Sequence, residues 1–343
     1  MSCAVVIVNW NGAEDTLACL RSVLGLDSEG GAAGRDLRVI VIDNGSTDGS
    51  LQRLPAALAA WGVRLEVGTL ATAAQAPVPA TPVWLLAAGE NLGFAAGCNA
   101  GLRAAARAGC ETTCFLNNDT VVEDGALQRL VQRLAIDARC FATLPMITVH
   151  GSDRIWNCGG RLWPVGLRRY HLAGRPRAEG ARRGEIRCSF FTGCCLVVRT
   201  AEFRARAGFS ERFFFGEEDF ELGLWMREHG RHAVCVTAAV VQHKVSASFD
   251  AASGTRTGAR SSQSSRAFVY YLNRFIHMRL RLGPWRWRLW CAAYLPYVAL
   301  LLWRSGTLAA AALPGFVRRL LARAGTMDRV ARADFEAVMA GRW

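Results

Sequence analysis

Residues 4–12 read AVVIVNWNG, a run of small and β-branched residues that ends in the polar turn NWNG. Residues 38–50, RVIVIDNGSTDGS, repeat this pattern, and residues 114–119, CFLNND, show it a third time. Uninterrupted apolar strands that alternate with helical segments indicate a parallel sheet buried on both faces. Ligands of such sheets bind beyond the carboxyl ends of the strands, so the three polar turns are candidate ligand loops.

Other segments are less regular. A short strand is expected over Val63–Val67. Residues 68–82 are rich in Ala, Thr and Pro without a helical or strand period, which predicts a surface insertion. Residues 151–187 are irregular and rich in Gly and Arg. Residues 250–265 are rich in Ser, Gly and Thr, which indicates a mobile loop.

The charge of the chain is unevenly distributed. The 343 residues include 41 basic and 28 acidic side chains, a formal net charge of +13. Residues 1–150 carry 10 arginines and 14 acids, whereas residues 151–343 carry 31 basic groups and 14 acids. The positive second half favours nucleic acid, an anionic membrane surface or a phosphorylated substrate. Since no helix-turn-helix, RRM or zinc pattern accompanies the arginines, we predict no nucleic-acid partner.

Residues 283–343 are predicted to be a basic, aromatic, helical extension. Residues 289–303 form an uncharged run that contains Pro296. As a helix, this run is about 22 Å long, shorter than the roughly 30 Å hydrocarbon core of a membrane. Such runs, flanked by Trp and Arg, are typical of segments that lie on or dip into a membrane. The alternative is a pair of amphipathic helices that pack on the domain or on another subunit.

The cysteines and the N-terminus bear on the compartment. The 12 cysteines include no CxxC pair, and several lie in apolar runs where cysteine behaves as a small hydrophobic residue. The N-terminus shows no basic segment followed by an apolar run and a cleavage site. These features predict a reducing, cytoplasmic compartment and no zinc site.

Asp119 is the first candidate for chemistry. A carboxylate at the end of a buried strand suits Mg²⁺ or Mn²⁺ held against a diphosphate. The alternative is an N-cap for a helix predicted over Val121–Leu134, because Asp before a helix bonds its free N–H groups. The local sequence favours the cap.

Residues 216–222, GEEDFEL, are the second candidate. Adjacent carboxylates repel one another, so at least one is expected to have a raised pKa and to serve as a base. The alternative is an acidic first helical turn favoured by the helix dipole, with Phe220, Leu224 and Trp225 facing the core. Neither reading prevails from this segment alone.

A histidine and a glycine series are ambiguous by themselves. His243 follows an apolar run, where a lone histidine is more often structural than a ligand. Gly93, Gly97 and Gly101 are spaced by four, which helix packing explains as well as phosphate binding does.

Seven motifs follow one another along the chain: VVIVNWNG (5–12), VIDNGSTDGS (41–50), NLGFAAGCNAG (91–101), FLNNDT (115–120), FFTGCCLVVRTAEF (190–203), FFFGEEDFELGLWMREHG (213–230) and VVQHKVSAS (240–248). The series closely resembles glycosyltransferase family 2, and most nearly its rhamnosyltransferase-like bacterial branch. The resemblance covers roughly residues 3–280. It implies an α/β GT-A fold, the doubly wound, mostly parallel sheet of nucleotide-diphospho-sugar transferases, over residues 1–282.

The resemblance also implies roles for individual residues. Asp43 would hold the base or ribose of the donor. Asp219, in the acidic pair with Glu218, would be the catalytic base, and Glu217 is the alternative base. The other residues placed at the nucleotide-sugar site are Asn9, Asn11, Asn91, Gly93, Gly97, Asn99, Asn118 and Asp119.

The metal motif of this chain departs from the family pattern. The family's Asp-x-Asp occurs here as Asn117-Asn118-Asp119, so Asn117 replaces the first acid. Asp119 would be the metal ligand, and His243 matches a histidine that completes the metal site in some relatives. The implied cofactor is a divalent cation, Mg²⁺ or Mn²⁺.

The implied reaction is an inverting transfer in bacterial cell-surface polysaccharide synthesis. The donor would be a dTDP- or UDP-sugar, with L-rhamnose from dTDP-rhamnose as the first expectation. The acceptor would be a lipid-linked saccharide, met by the basic segment 151–187. The enzyme would be peripheral or monotopic on the inner face of the plasma membrane, held through residues 283–343. An oligomer is left open.

Two alternatives remain. A catalytically degenerate member would bind a nucleotide sugar or scaffold a polysaccharide-assembly complex; Asn117 allows this, whereas Glu218, Asp219 and His243 argue against it. A sugar-phosphate nucleotidyltransferase would carry a Gly-rich phosphate loop with Arg or Lys near the N-terminus, and residues 9–12 lack one.

Overall fold

A computed structural model describes residues 2–26, 37–75, 77–244 and 259–342. The packing of Cα atoms divides the chain into two compact units. The first unit comprises residues 1–209 and 222–251, and the second comprises residues 210–221 and 252–343. The predicted boundary between residues 282 and 283 falls inside the second unit.

A mixed sheet forms the centre of the first unit. The strands of this unit are β1 (Cys3–Asn9), β2 (Leu37–Asp43), β3 (Leu65–Thr69), β4 (Val83–Ala87), β5 (Thr112–Asn117), β6 (Thr120–Val122), β7 (Cys140–Val149), β8 (Ile155–Asn157), β9 (Gly160–Leu162), β10 (Arg168–Tyr170), β11 (Glu185–Cys188), β12 (Cys195–Arg199) and β13 (His232–His243). The strand order of the sheet is β11-β13-β7-β12-β5-β1-β2-β4-β3, with β6 beside β13 and β8 beside β7, and β9 and β10 form a separate hairpin. The run β3-β4-β2-β1-β5 is parallel throughout.

Helices cover both faces of this sheet. Alternate residues of β1 enter two different cores, with Val6 in one and Val5 in the other. The helices of the first unit are α1 (Ala13–Val23), α2 (Ser50–Ala60), α3 (Leu70–Gln75), α4 (Phe94–Arg107), α5 (Ala126–Ala135), α6 (Arg177–Ala181) and α7 (Thr200–Ala205), and α8 (Glu218–Glu228) begins in the second unit and continues into the first. The second unit contains α9 (Ala259–Leu282), α10 (Pro284–Arg304), α11 (Leu313–Thr326) and α12 (Arg332–Met339), with a 3₁₀ turn at Ala310–Ala312. The two-sided core explains why the strands are apolar without alternation.

The glycine series of α4 lies against β1. A Cβ at Gly101 would overlap Cγ1 of Val6, and one at Gly97 would come within 3.0 Å of Cγ1 of Val8. The helix backbone therefore approaches the sheet more closely than a side chain allows. Helix packing accounts for both glycines, and the nucleotide role of Gly97 stays a prediction.

Some elements differ from the sequence expectations. The pattern misses β4, because its leucines and tryptophan lack the β-branched run seen in β1. The third strand, β3, lies two residues later than predicted. Within the predicted insertion at residues 68–82, residues 70–75 form the mostly exposed helix α3.

The two loop-rich segments also contain regular structure. Residues 151–187 were expected to be irregular, but they hold β8, β9, β10, α6 and the start of β11. In the predicted loop 250–265, residues 250–258 lie outside the described residues. Residues 259–265 belong to α9, so the loop prediction is wrong for them.

Helix α9 organises the second unit through aromatic contacts. Phe268 meets Phe316 of α11 edge-on, with ring centroids 5.3 Å apart. Phe275 meets Trp290 of α10 at 4.8 Å, and the indole N–H of Trp287 donates to the carbonyl of Phe275. These contacts hold α10 and α11 against α9.

The apolar run 289–303 lies within the single helix α10, with Pro296 inside it. One side of α10 is buried, through Trp290, Tyr294, Val298 and their neighbours. The other side carries the large apolar residues that remain exposed, which are Trp285, Leu289, Tyr297, Leu300, Leu301 and Trp303.

Across the described residues, no helix combines the length and the apolar character needed to cross a membrane.

All twelve cysteines lie within the described residues, and each is a buried free thiol. Burial raises the pKa of the Cys3, Cys19 and Cys188 thiols to about 12. The behaviour of these residues as small core hydrophobes fits the sequence interpretation.

Candidate functional site

Polar side chains tie the ends of β1 and β2 together. The amide of Asn9 donates to Oδ2 of Asp43 at 2.9 Å, and Oδ1 of Asp43 accepts the backbone N–H of Ser46 at 3.0 Å. Oδ1 of Asn11 accepts the backbone N–H of Thr47 at 2.7 Å. Three predicted nucleotide-site residues therefore lie in one hydrogen-bonded cluster, at the edge where ligands of parallel sheets bind.

Asn118, after β5, joins this cluster through helix α1. Its amide donates to the hydroxyl of Thr16 at 3.1 Å, and that hydroxyl donates to Oδ1 of Asn9 at 2.8 Å. Asn9, Thr16 and Asn118 are buried, so their bonds fix the loops relative to one another. Asn9 and Asn118 act here as supports of the site, and their contact with a nucleotide stays a prediction.

The loop before α4 is held in a similar way. The amide of Asn44 donates to Oδ1 of Asn91 at 3.0 Å and to the carbonyl of Gly93 at 3.2 Å. Asn99 differs from the expectation, because its amide and its carbonyl oxygen both bond the backbone of Phe209 at 2.8 Å. Its observed role is to anchor residue 209, which leaves its nucleotide assignment without structural support.

Asp119 and His243 meet at the ends of β5 and β13. Strand β6 pairs with β13 so that His243 lies opposite Thr120, next to Asp119. The distance from Oδ1 of Asp119 to Nε2 of His243 is 3.1 Å, and only 2% and 6% of the two residues are exposed. The ring of Trp156 packs on His243 at a centroid distance of 4.8 Å.

The helix-cap interpretation of Asp119 is wrong. The residues that follow Asp119 form β6, and α5 begins only at Ala126, after Gly125. The β-branched sequence Thr120-Val121-Val122 pairs with β13 and so extends the sheet in place of the helix. The carboxylate is free of any capping role.

Asp119 and His243 have the chemistry expected of cation ligands. Apart from the 3.1 Å approach of Oδ1 of Asp119 to Nε2 of His243, which lacks hydrogen-bond geometry, these two atoms and Nδ1 of His243 are buried and make no hydrogen bond within the described part of the chain. Such atoms are costly unless something else satisfies them. In the described ranges no cluster of three or more His, Cys, Asp or Glu could hold a metal. Two protein ligands nevertheless suit Mg²⁺ or Mn²⁺, which often take their other ligands from phosphate and water.

The acidic segment forms the start of α8, whose first turn contains Glu218, Asp219 and Glu221. Burial, together with the nearby charges of Asp219 and Glu217, raises the pKa of Glu218 to about 8. The expectation of one raised carboxyl pKa in this group is met at Glu218. Phe220 and Leu224 are buried, so the helical-turn alternative describes the same residues correctly.

Glu217 is engaged elsewhere. Its Oε1 accepts a 2.6 Å hydrogen bond from Nε of Arg274, and both side chains are buried. A carboxylate neutralised in this way is a poor proton acceptor, which disfavours Glu217 as the alternative base. Asp219, by contrast, is only partly buried.

Comparison with known proteins decides the family. A profile described as "Glycosyltransferase like family 2" matches residues 2–258. The chain belongs to glycosyltransferase family 2. This confirms the family resemblance on which the sequence expectations depend.

The chain is similar to a protein of two Mycobacterium tuberculosis strains, CDC 1551/Oshkosh and ATCC 25618/H37Rv. This relative is the N-acetylglucosaminyl-diphospho-decaprenol L-rhamnosyltransferase. The two sequences are 28% identical over 230 residues, which are 62% of this chain and 68% of the relative.

Two solved structures share the fold. The mannosyltransferase PcManGT from Pyrobaculum calidifontis, in complex with GDP-Man and Mn²⁺, has a TM-score of 0.51 at 17% identity, over 99% of this chain and 86% of that one. GalNAc-T7 with UDP, GalNAc and Mn²⁺ has a TM-score of 0.52 at 16% identity. The match covers 71% of this chain but only 44% of GalNAc-T7. The predicted GT-A fold of this family 2 glycosyltransferase is confirmed.

Sequence reasoning misses three residues that contact predicted site residues. Trp156 packs on His243 from the segment expected to be irregular. The ammonium of Lys244, the only lysine of the chain, lies 2.5 Å from Oδ1 of Asp15, and its backbone N–H donates to the carbonyl of Asp119. Arg274 lies 57 residues beyond Glu217. Only the adjacency of Lys244 to His243 gave a signal in the sequence.

Proposed function

We propose that this chain is an inverting glycosyltransferase that moves a sugar from a nucleotide-diphosphate donor to a lipid-linked saccharide. L-Rhamnose from dTDP-rhamnose is the first candidate donor. The observation that carries the proposal is the buried pair Asp119 and His243, which lies at the strand ends beside the polar loops expected to hold a nucleotide. The family and the name of the mycobacterial relative support it.

The first unit would bind the donor. Asp119 and His243 would hold a divalent cation against the diphosphate, and that ion would supply positive charge to the leaving group. The clustered loops around Asp43 would orient the nucleoside. Orientation matters because a displacement at the anomeric carbon requires the nucleophile and the leaving group to be held in line.

Asp219 would accept the proton of the acceptor hydroxyl as that oxygen attacks the sugar. The attack forms the new glycosidic bond and breaks the bond to the diphosphate, which departs with the bonding electrons. With one base and no enzyme nucleophile, the proposed reaction is a single displacement, and the anomeric configuration inverts.

A donor screen tests this proposal. We expect dTDP-rhamnose, in a panel of dTDP-, UDP- and GDP-sugars with Mg²⁺ or Mn²⁺, to give the fastest release of nucleoside diphosphate. The release should depend on an added polyprenyl-diphosphate-linked saccharide. A preference for another donor contradicts the rhamnose assignment alone. No turnover with any donor, despite binding, favours the degenerate, scaffolding alternative.

We also propose that the exposed side of α10 lies on an anionic membrane on the cytoplasmic side. This side presents Trp285, Leu289 and Trp303 among other apolar residues. Residues 283–327 contain six arginines and no acidic residue. Interfacial tryptophans and arginines together favour an anionic lipid surface, each arginine near it contributing about 1 kcal/mol. The lipid-linked acceptor would be met at the same surface.

We expect the protein to sediment with vesicles that contain phosphatidylglycerol, and less so at high salt. Replacing Trp285, Leu289 and Trp303 together by serine should weaken this binding at least tenfold, because these side chains supply the buried apolar area. Ile136→Ser, which removes an exposed apolar residue of the first unit, is the matched control. Undiminished sedimentation of the triple variant would refute the lipid-facing assignment.

A further inference from the structure

Arg274, in helix α9, is a fully buried cation that none of the proposed steps uses. It is 0% exposed, and its Nε donates to Oε1 of Glu217 at 2.6 Å. Its guanidinium carbon lies 3.3 Å from the centre of the Phe220 ring. A buried arginine persists only where its charge is compensated, so the contacts with Glu217 and Phe220 define its position.

The partner of Arg274 has an unusual backbone. Glu217 has a φ of +78°, and it follows Gly216 at +82°. Left-handed backbone is strained for a residue that carries a side chain, and it persists only where the surroundings impose it. The ion pair with Arg274 can impose this conformation on Glu217. A glycine at position 217 would adopt the same conformation without strain.

Glu217 also determines where helix α8 starts. Its carbonyl accepts the N–H of Glu221 at 2.9 Å, which is the first bond of the helical ladder. Glu218 and Asp219 are the next two residues, so their directions follow from the conformation of Glu217.

Helix α9 holds this segment at a second point. The amide of Asn273 donates to the carbonyl of Phe215 at 2.8 Å. One turn later, Nδ1 of His277 lies 3.8 Å from Oε1 of Glu217. Burial and the positive charge of Arg274 lower the pKa of His277 to about 3, so this histidine is neutral and Arg274 supplies the charge.

We propose that Arg274 is a positioning residue for sugar transfer. By binding the carboxylate of Glu217, Arg274 keeps this residue, which directly precedes α8, in its left-handed conformation. The start of α8 then directs Asp219 at the acceptor hydroxyl. This inference rests on the proposed function, in which Asp219 is the base. The Glu217–Arg274 pair would then affect the rate of the chemical step in addition to the stability of the fold.

The test uses Arg274→Gln, Glu217→Gln and the double variant of the full chain. Each single variant breaks the Glu217–Arg274 ion pair while one of its buried charges remains, and should lower both the melting temperature and kcat, the latter at least tenfold. The double variant removes both charges, so its melting temperature should recover while kcat stays as low as in the worse single variant. The KM for the donor should stay within twofold of wild type throughout, because the Glu217–Arg274 pair is proposed to act on the base and not on donor binding.

Two controls accompany these variants. Arg274→Lys keeps the charge but loses the guanidinium fork, and should show an intermediate kcat. Arg279 lies on the same helix as Arg274 and pairs with the exposed carboxylate of Asp328. Arg279→Met removes this exposed pair and should leave kcat within twofold of wild type.

Recovery of kcat together with stability in the double variant would show that the pair is merely structural and would overturn the inference. So would a single variant that folds and keeps wild-type kcat. Failure of the proposed function is seen separately: Asp219→Asn measured in the same assay would then retain wild-type transfer, and the inference would fall with it.

Discussion

Replacing Asp219 with asparagine is expected to lower kcat for sugar transfer by about 10²–10⁴, the usual contribution of a general base. Asparagine has nearly the same shape but cannot accept the proton of the acceptor hydroxyl. Glu218 is not expected to substitute, because its raised pKa of about 8 keeps it largely protonated at neutral pH. The measurement is acceptor-dependent release of nucleoside diphosphate, with donor affinity determined by calorimetry.

Donor affinity should be unchanged in Asp219→Asn, since Asp219 is proposed to act on the acceptor hydroxyl and not to bind the donor. Glu228→Gln is the matched control, because it makes the same chemical change at an exposed position near the end of the same helix. Wild-type turnover in Asp219→Asn would rule out this residue as the base. Equal losses in both variants would point to general destabilisation of α8.

His243→Ala is expected to lower metal-dependent transfer about a hundredfold or more and to raise the Mn²⁺ concentration needed for half-maximal rate. The reason is that a cation at this position would lose one of two protein ligands while the charge of the leaving diphosphate remains to be neutralised. The rate is measured over a series of Mn²⁺ concentrations, and Mn²⁺ binding by the free protein is followed by electron paramagnetic resonance.

The matched control is His232→Ala, at the opposite end of the same strand. His232 is also buried, and its Nε2 lies 3.3 Å from Oδ2 of Asp137. Removing it deletes an equivalent histidine–aspartate pair away from the site, so the dependence on Mn²⁺ should not change. Wild-type transfer by His243→Ala, or full activity of the wild type in excess EDTA, would refute the cation assignment.

The parts of the fold that could be predicted from the sequence are those with a strong local signal. In β1, β2 and β5 an unbroken apolar run ends in a polar turn, and parallel pairing places these turns at one edge. The core strands were therefore identifiable without tertiary information. β4 gave a weak signal, because its Trp-Leu-Leu sequence is equally typical of a helix.

The candidate site depends on contacts between residues far apart in the sequence, and there local reasoning fails. The local pattern around Asp119 favoured a helix cap, but pairing of β6 with β13, about 120 residues later, decided for a strand. The resemblance predicted that Asp119 and His243 share a metal site. The structure brings the two side chains within 3.1 Å of each other, and their role as ligands stays a prediction. The resemblance also placed Asn99 at the nucleotide, whereas the backbone of Phe209 occupies both ends of that amide.

Because the buried thiols are divided unevenly between the two units, their alkylation rates measure the local opening of each unit. A thiol reacts as the thiolate, so a buried group with a pKa near 12 is protected from alkylation until the surrounding structure opens. Eleven cysteines lie in the first unit and Cys291 alone lies in the second. The rate at which Cys291 is alkylated therefore reports the opening of the helical unit, independently of the opening of the sheet.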